Sequence, residues 1–235
     1  MINQKPILLS IIVPVYNEEK TIKEILEKLS ELKTKKTGIE IIVINDGSKD
    51  NSLNILKSLN THYELLISDI VNRGKGYAVK KGIEVAKGKY ITFQDGDLEF
   101  EPKDLLKFFN VIEKFDPDLI IGSRFNYSEY TRSFNILNRF GNMLMVFIFN
   151  IFYNTTFTDI YSCYICFKKE LLDVQKLKTS GFEQQAEILS KVVKNGDKFY
   201  EVPISYNGRT HKEGKKIRFY HIFSILFMII VGRFK

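Results

Sequence analysis

The chain has 235 residues, 44% of them hydrophobic and 27% charged, the composition of a folded protein with a substantial core, which excludes a disordered chain. The net charge of +7 is unevenly placed, since residues 1–122 hold 18 Lys/Arg against 19 Asp/Glu and residues 123–235 hold 17 against 9. The second half therefore suits phosphates or an anionic membrane surface, and without a dense basic stripe it does not suit nucleic acid.

In chain order, apolar runs at Leu8–Val15, Ile39–Ile44, Glu64–Ile67, Tyr90–Phe93 and Leu119–Ile121 read as buried strands. Between them, Thr21–Leu32 carries Ile22, Ile25, Leu26 and Leu29 at helical spacing. Ser52–Leu59, Gly76–Ala86 and Lys103–Phe115 repeat that pattern, and Pro102 stands where a helix begins. Strand–helix alternation predicts an α/β fold, a mostly parallel central sheet with helices on both faces. Ligands of such sheets bind at the carboxyl ends of the strands, so the loops after the strands are the place to look.

The first of these loops, Pro14-Val15-Tyr16-Asn17-Glu18-Glu19, has no glycine, which removes the dinucleotide-binding turn, and no P-loop occurs anywhere. Tyr16 offers a ring face to a base and Glu18 an acceptor to ribose hydroxyls; Asn17 and Glu18 equally suit the start of a helix. The second loop, Asn45-Asp46-Gly47-Ser48-Lys49-Asp50, places Asp46 at a strand terminus as an acceptor for a nucleobase N–H, or else forms a turn with a helix cap. The third, Asn72-Arg73-Gly74-Lys75-Gly76, suits an anion at a helix start or a flexible helix entry. The fourth, Gln94-Asp95-Gly96-Asp97-Leu98-Glu99, has acidic residues two apart, which on an extended chain share a face. Asp95, Asp97 and Glu99 are thus expected to converge on Mg²⁺ or Mn²⁺ shared with a diphosphate. Base, ribose and diphosphate–metal sites following successive strands form a more specific signal than any one motif.

The second half is less regular. Phe134–Tyr153 is long, aromatic and apolar, Cys163–Phe167 reads as a strand, Glu183–Val193 as a helix, and Lys198–Tyr206 as a strand before the basic loop Asn207–Arg218. Cys163 and Cys166 lack the further ligands of a zinc site and read as reduced, packed thiols in a reducing compartment. No signal peptide or spanning helix is expected. Ile222–Val231, flanked by Arg218 and Arg233, reads as a helix lying on a membrane or covering the protein's own core. The expected division is one domain over 1–217 and an amphipathic, membrane-associated helix over 218–235.

Taken together, Val13-Pro14-Val15-Tyr16-Asn17-Glu18, Asn45-Asp46-Gly47-Ser48, Asn72-Arg73-Gly74-Lys75-Gly76, Asp95-Gly96-Asp97 and Gly122-Ser123-Arg124-Phe125 resemble inverting glycosyltransferases of the family-two type with a GT-A fold. With Thr158-Asp159, Cys163-Tyr164, Glu201-Val202-Pro203-Ile204-Ser205-Tyr206, Arg209 and Glu213-Gly214-Lys215-Lys216, the chain is most similar to the dolichyl-phosphate mannosyltransferase-like branch, which uses polyprenyl phosphates. The resemblance implies that Pro14, Tyr16, Glu18, Ile44 and Asp46 hold the nucleoside, with Lys75 near the phosphates. It implies that Asp95, Gly96 and Asp97 bind the diphosphate through metal, with Glu99 completing the shell. It implies that Arg124 faces the reacting phosphates and that Arg209 and Lys215 close over them. Asn45 replaces the first of two usual aspartates, Gly96 a frequent alanine, and Glu99 a frequent glutamine.

The implied reaction moves a hexose from a nucleotide-diphosphate sugar, GDP-mannose or a UDP-sugar, to an acceptor. A hydroxyl acceptor needs a carboxylate base, for which Asp159 and Glu183 are the candidates. A phosphomonoester is already an anion at neutral pH and needs cations instead; Arg124, Arg132 and Arg139 could seat it, although Arg132 and Arg139 also suit a solvated surface. Phe140–Phe152 would then face lipid, or else form core. A peripheral position on the cytoplasmic face of a membrane follows from the lipid reading; transfer to a saccharide or glycolipid hydroxyl and a non-catalytic nucleotide-sugar-binding module are the alternatives.

Overall fold

A computed structural model describes residues 7–36, 38–126, 130–132, 136–181, 183–208 and 221–234. The elements in chain order are β1 (Leu9–Val15), α1 (Ile22–Lys35), β2 (Ile39–Asp46), α2 (Ser52–Ser58), β3 (Leu65–Asp69), α3 (Lys75–Val85), β4 (Tyr90–Phe93), α4 (Leu105–Phe115, entered through a 3₁₀ turn at Pro102–Asp104) and β5 (Leu119–Ser123). There follow α5 (Ile136–Tyr153), β6 (Ile165–Lys168), α6 (Gln184–Asn195), β7 (Phe199–Pro203) and α7 (His221–Phe234).

The seven strands form one sheet in the order β3-β2-β1-β4-β6-β5-β7. All pairs are parallel except those of β6, which runs antiparallel to both β4 and β5. The chain winds outward through β1, β2 and β3, then returns across the sheet to β4. Right-handed crossovers place α1 and α2 on one face and α3, after the reversal, on the other. Apolar side chains fill both faces: β2 is buried along its whole length, as are β4 and β5. The reversal leaves a crevice where the carboxyl ends of β1 and β4 diverge. The edge of the sheet away from that crevice is tied by polar groups. Lys168 Nζ lies 2.9 Å from Asp118 Oδ1, and Asp118 Oδ2 accepts from the N–H groups of Asp197 and Lys198.

The long apolar segment of the second half is α5, a single 18-residue helix. Helix α7 packs against α5 and α6, with Ile225 and Ile229 buried. It is apolar almost all round, so its sidedness comes from what it packs on rather than from alternation of polar residues. Both cysteines are free and buried, as the sequence leads one to expect.

Candidate active site

The loops after β1 and β2 are stitched together. The N–H groups of Asn17 and Glu18 donate to Ser48 Oγ (3.1 Å) and Ser52 Oγ (2.9 Å), and Asn17 Oδ1 accepts from the Lys49 N–H at 2.8 Å. The Thr21 side chain does not cap α1, while Asp50 Oδ1 accepts from the N–H of Ser52, first residue of α2, at 3.0 Å. Gly47 makes the turn possible: its φ is +67°, and a Cβ there would lie 2.6 Å from the Asn72 nitrogen. Asp46 differs from expectation. Its two oxygens accept from the N–H groups of Arg73 (2.9 Å) and Gly74 (2.7 Å). The anion that the start of α3 attracts is therefore Asp46 itself, which locks the third loop against the second.

Strand β4 ends at Phe93, so Asp95-Gly96-Asp97 lies on a turn and not on extended chain. Leu98 has φ 59°, which reverses the chain before Glu99. The alternation argument for three converging carboxylates fails for that reason. Glu99 Oε2 instead accepts from the Tyr206 hydroxyl at 3.0 Å, and Asp97 Oδ1 accepts from the Glu99 N–H at 3.2 Å. Among the described residues, no group of three or more His, Cys, Asp or Glu side chains stands ready for a metal ion. The turn is pinned from two sides. Thr21 Oγ1 donates to the Gly96 carbonyl at 2.5 Å, and the buried Gln94 amide reaches the Asp95 carbonyl at 3.0 Å while accepting from the Tyr164 hydroxyl.

Lys75, first residue of α3, lies 2.5 Å from Asp95 Oδ1 and 3.9 Å from Cys163 Sγ. Burial opposes the charge on the ammonium, but the Asp95 carboxylate outweighs it and raises the Lys75 pKa. Burial, reinforced by Asp95, pushes the Cys163 thiol well up, so it stays protonated and is no nucleophile.

Arg124 follows β5 and is 8% exposed. Its Nε and Nη2 donate to Asp159 Oδ2 and Oδ1 at 2.7 and 2.9 Å, a bidentate pair, and its Cζ lies 5.2 Å from the centre of the Tyr206 ring. Asp159 is fully buried and also accepts from the Tyr161 N–H at 3.0 Å. This carboxylate orients Arg124, so Asp159, named as a base for a hydroxyl acceptor, is engaged by a guanidinium in this structure. Glu201 supports the pair from behind, accepting from the N–H groups of Thr158 and Asp159; burial raises its pKa.

The far wall is hung from α6. Glu187, 4% exposed, accepts from the N–H groups of Lys178 and Thr179 and from the Thr179 hydroxyl. Gln185 Nε2 donates to the carbonyls of Ile160 and Ser162. The loop so held reaches α3, where the Gly76 N–H donates to the Ser180 carbonyl at 3.0 Å. A Cβ on Gly76 would strike the Ser180 backbone, so only glycine permits this contact.

These walls enclose a cavity of about 410 Å³, within the range of small-molecule sites. Pro14, Tyr16, Glu18, Asp46, Lys75, Asp95, Gly96, Asp97, Glu99 and Arg124 all line it. Ile44 does not; it is fully buried beneath, beside Pro14 in the sheet. Asp159, Glu183, Arg132 and Arg139 are likewise not among the lining residues. Glu183 sits half-buried at the N-cap position of α6, Arg132 is exposed and donates to the Gly208 carbonyl at 2.9 Å, and Arg139 is exposed on α5. Arg209 and Lys215 lie outside the described residues. The sequence reading missed Phe100, Tyr161, Cys163, Ser180, Gly181, Gln185 and Tyr206 as lining residues. Of these, Cys163 and Tyr206, each in a matched stretch, left a readable signal.

The donor set fits a divalent cation in a limited way. Asp95 and Asp97 present hard carboxylate oxygens to the cavity. Mg²⁺ and Mn²⁺ are commonly held by one or two carboxylates, with phosphate oxygens and water completing the shell. The two aspartates suit such a shared ion; a cage of three protein carboxylates is not assembled.

Comparison with known proteins bears on the family and the fold. The family model described as Glycosyl transferase family 2 matches residues 10–174. An uncharacterized protein of Methanocaldococcus jannaschii is 31% identical over 229 residues, 95% of this chain and 91% of its own. The UDP-N-acetylglucosamine–dolichyl-phosphate N-acetylglucosaminyltransferase of Methanococcus voltae is 28% identical over 249 residues, 96% of this chain and 97% of its own. Among solved structures, glucosyl-3-phosphoglycerate synthase from Mycobacterium tuberculosis with phosphoglyceric acid has a TM-score of 0.71 at 16% identity, over 96% of this chain and 79% of that one. TarS 1–349 of S. aureus with UDP-GlcNAc has a TM-score of 0.66 at 19% identity, over 96% and 66%. At such identities these two structures speak for the fold alone, which is GT-A. The family model covers most of the sheet and the residues at its carboxyl edge: the chain belongs to glycosyl transferase family 2.

Proposed function

We propose that the protein transfers a hexose unit from a nucleoside-diphosphate sugar to a polyprenyl phosphate, with inversion at the anomeric carbon. The observation that carries the acceptor assignment is the buried Arg124–Asp159 pair beside the cavity. It supplies a fixed guanidinium and engages Asp159, one of the two carboxylates considered as a base for a hydroxyl acceptor. The methanococcal relative named for a dolichyl-phosphate acceptor, aligned over nearly the full length of both chains, supports the same reading.

In this reading Tyr16 and Glu18 bind the nucleoside, and Lys75 and the Asp95–Asp97 turn hold the diphosphate. Asp95 and Asp97 would hold a divalent ion, Mg²⁺ or Mn²⁺, which would supply positive charge to the diphosphate. Arg124 orients the acceptor phosphate. One acceptor phosphate oxygen forms a bond to the anomeric carbon as the bond to the diphosphate oxygen breaks on the opposite side. The acceptor is already an anion, so no proton need be removed, and the nucleoside diphosphate leaves with the electron pair. Charge growing on the leaving group meets Lys75, held protonated by Asp95. Arg209 and Lys215 remain candidates to close over it. The lipid confines the reaction to a membrane surface, in our reading the cytoplasmic face.

UDP-N-acetylglucosamine is the first donor to test, given the donor named for the methanococcal relative, and GDP-mannose the second. Radiolabelled donors are incubated with polyprenyl phosphate and Mg²⁺ or Mn²⁺, and label is followed into the lipid phase. Transfer to lipid that stops on adding EDTA is expected. Label that enters an added saccharide and never the lipid overturns the acceptor assignment.

A further inference from the structure

Helices α5 and α7 each show a second apolar stripe that faces away from the protein. On α5, Ile136, Phe140, Met143, Phe147 and Ile151 are exposed at helical spacing, while Met145, Val146, Phe149 and Tyr153 pack inward. On α7, Phe227, Ile230 and Phe234 are exposed while Ile225 and Ile229 are buried. Phe140, Phe147 and Phe227 are 66%, 63% and 65% exposed. The helices run side by side in the same direction. Gly141 lies beside Ile222, Gly232 beside Tyr153, the Tyr153 hydroxyl donates to the Ile229 carbonyl, and the Phe152 and Phe234 rings meet edge to face. The two outer stripes therefore belong to one pair of packed helices rather than to scattered surface residues, and so large an exposed apolar face marks an interaction site.

The charge around the pair identifies the occupant. Neither helix contains a single Asp or Glu. Exposed Arg139 stands near the start of α5 and exposed Arg233 near the end of α7, so cations mark both ends of the slab. A second copy docking the same face by two-fold symmetry would add its own arginines with no acidic residue on either helix to meet them. Anionic lipid headgroups meet those arginines directly, and acyl chains accept protruding Phe, Ile and Met side chains without needing a matching relief. Eighteen and fourteen residues extend about 27 and 21 Å, short of a hydrocarbon core of about 30 Å. Among the described residues no helix is long and apolar enough to cross a membrane.

We infer that α5 and α7 together form a docking surface for an anionic bilayer, lying in the membrane plane with their outer stripes among the acyl chains and Arg139 and Arg233 at headgroup level. This goes beyond the acceptor assignment, because it holds for any bilayer of that charge, whatever lipid receives the sugar.

The chain contains no tryptophan, so Phe147→Trp and Phe227→Trp each place one fluorophore on the outer face of one helix without background. Each full-length variant is mixed with phosphatidylcholine/phosphatidylglycerol vesicles, with and without brominated acyl chains, free of polyprenyl phosphate and nucleotide sugar. Both tryptophans should shift to the blue and be quenched at least twofold by the brominated chains. Binding should weaken on pure phosphatidylcholine. Emission unchanged by any vesicle overturns the inference. So does binding that high salt abolishes and brominated chains never quench, which is headgroup adsorption only. So does a blue shift that appears without lipid as protein concentration rises, which points to a second copy. A Phe147→Ser/Phe227→Ser variant should lose vesicle flotation at least tenfold, and should it fail to fold, the tryptophan variants still decide. Since no substrate is present, failure here leaves the transfer assignment standing, and failed transfer leaves this surface standing.

Discussion

Asp97 and Glu99 are two residues apart and carry the same charge, yet they do different work. Both line the cavity, but Glu99 also receives the Tyr206 hydroxyl at 3.0 Å. Asp97→Asn should lower the transfer rate by about 10²–10³, the usual effect of removing one preorganised electrostatic contact in a dry site. Glu99→Gln keeps an acceptor for Tyr206 and should cost less than about tenfold. Steady-state rates at saturating donor and metal check both, and equal losses would return Glu99 to the metal shell. The Arg124–Asp159 pair is tested by a double-mutant cycle. Asp159→Asn leaves Arg124 without its bidentate partner in a buried place, and Arg124→Gln strands the carboxylate. Each should destabilise by about 3–5 kcal/mol, and the double variant by clearly less than the sum. Were Asp159 a base acting on its own, the two changes would add in catalysis and not couple in stability.

Elements of the first half were legible because their signal is local. Runs such as Ile39–Ile44 are apolar and β-branched enough to specify a buried parallel strand, and the observed β2 runs only two residues further. The site was harder to read where the chain leaves regular structure. Nothing in Gln94-Asp95-Gly96-Asp97 announces that β4 stops at Phe93, and so the expected row of three carboxylates became a turn. Nor does spacing announce that Arg124 meets Asp159, 35 residues away, or that Glu187 suspends a pocket wall from inside a helix. The short strand β6 runs against its neighbours and brings such distant segments together. Asp118 holds that arrangement at the opposite edge of the sheet. Burial raises its pKa, but two backbone N–H groups and Lys168 outweigh burial, taking it from 3.8 to about 2. A carboxyl whose pKa is depressed by folding stabilises fully above its unfolded pKa and loses that contribution as pH falls through its folded one. Asp118→Asn should therefore cost about 2 kcal/mol at neutral pH. Denaturant titrations should show the gap between variant and parent narrowing from about pH 4 and closing near pH 2; a gap constant with pH would mean that packing, not charge, is lost.

At the scale of the whole molecule, the question is whether α7 is an attachment or a part of the fold. The sequence suggested a boundary at residue 218, because a basic loop precedes an apolar helix and local composition changes sharply there. Composition cannot report that the same helix has an inward face. Ile229 is fully buried, Ile225 nearly so, and the Tyr153 hydroxyl donates to the Ile229 carbonyl at 2.9 Å. Gly232 closes the contact, its Cα being near enough to α6 that a Cβ would lie 3.0 Å from Ser190. Those contacts connect α7 to α6, and α6 holds the loop that walls the cavity through Glu187. A helix integral to the domain transmits the loss of its inner face to global stability, while an attachment frays alone. Ile229→Ala should thus lower the unfolding free energy by about 2–5 kcal/mol in a single cooperative transition, the cost of an unfilled cavity in a packed core. Phe227→Ser, on the opposite side of the same helix, should change it by less than about 0.5 kcal/mol. A parent-like midpoint for Ile229→Ala would show that α7 melts before the domain does. The expected contrast between the two faces would place α7 in the fold by one side and leave its other side free for the membrane.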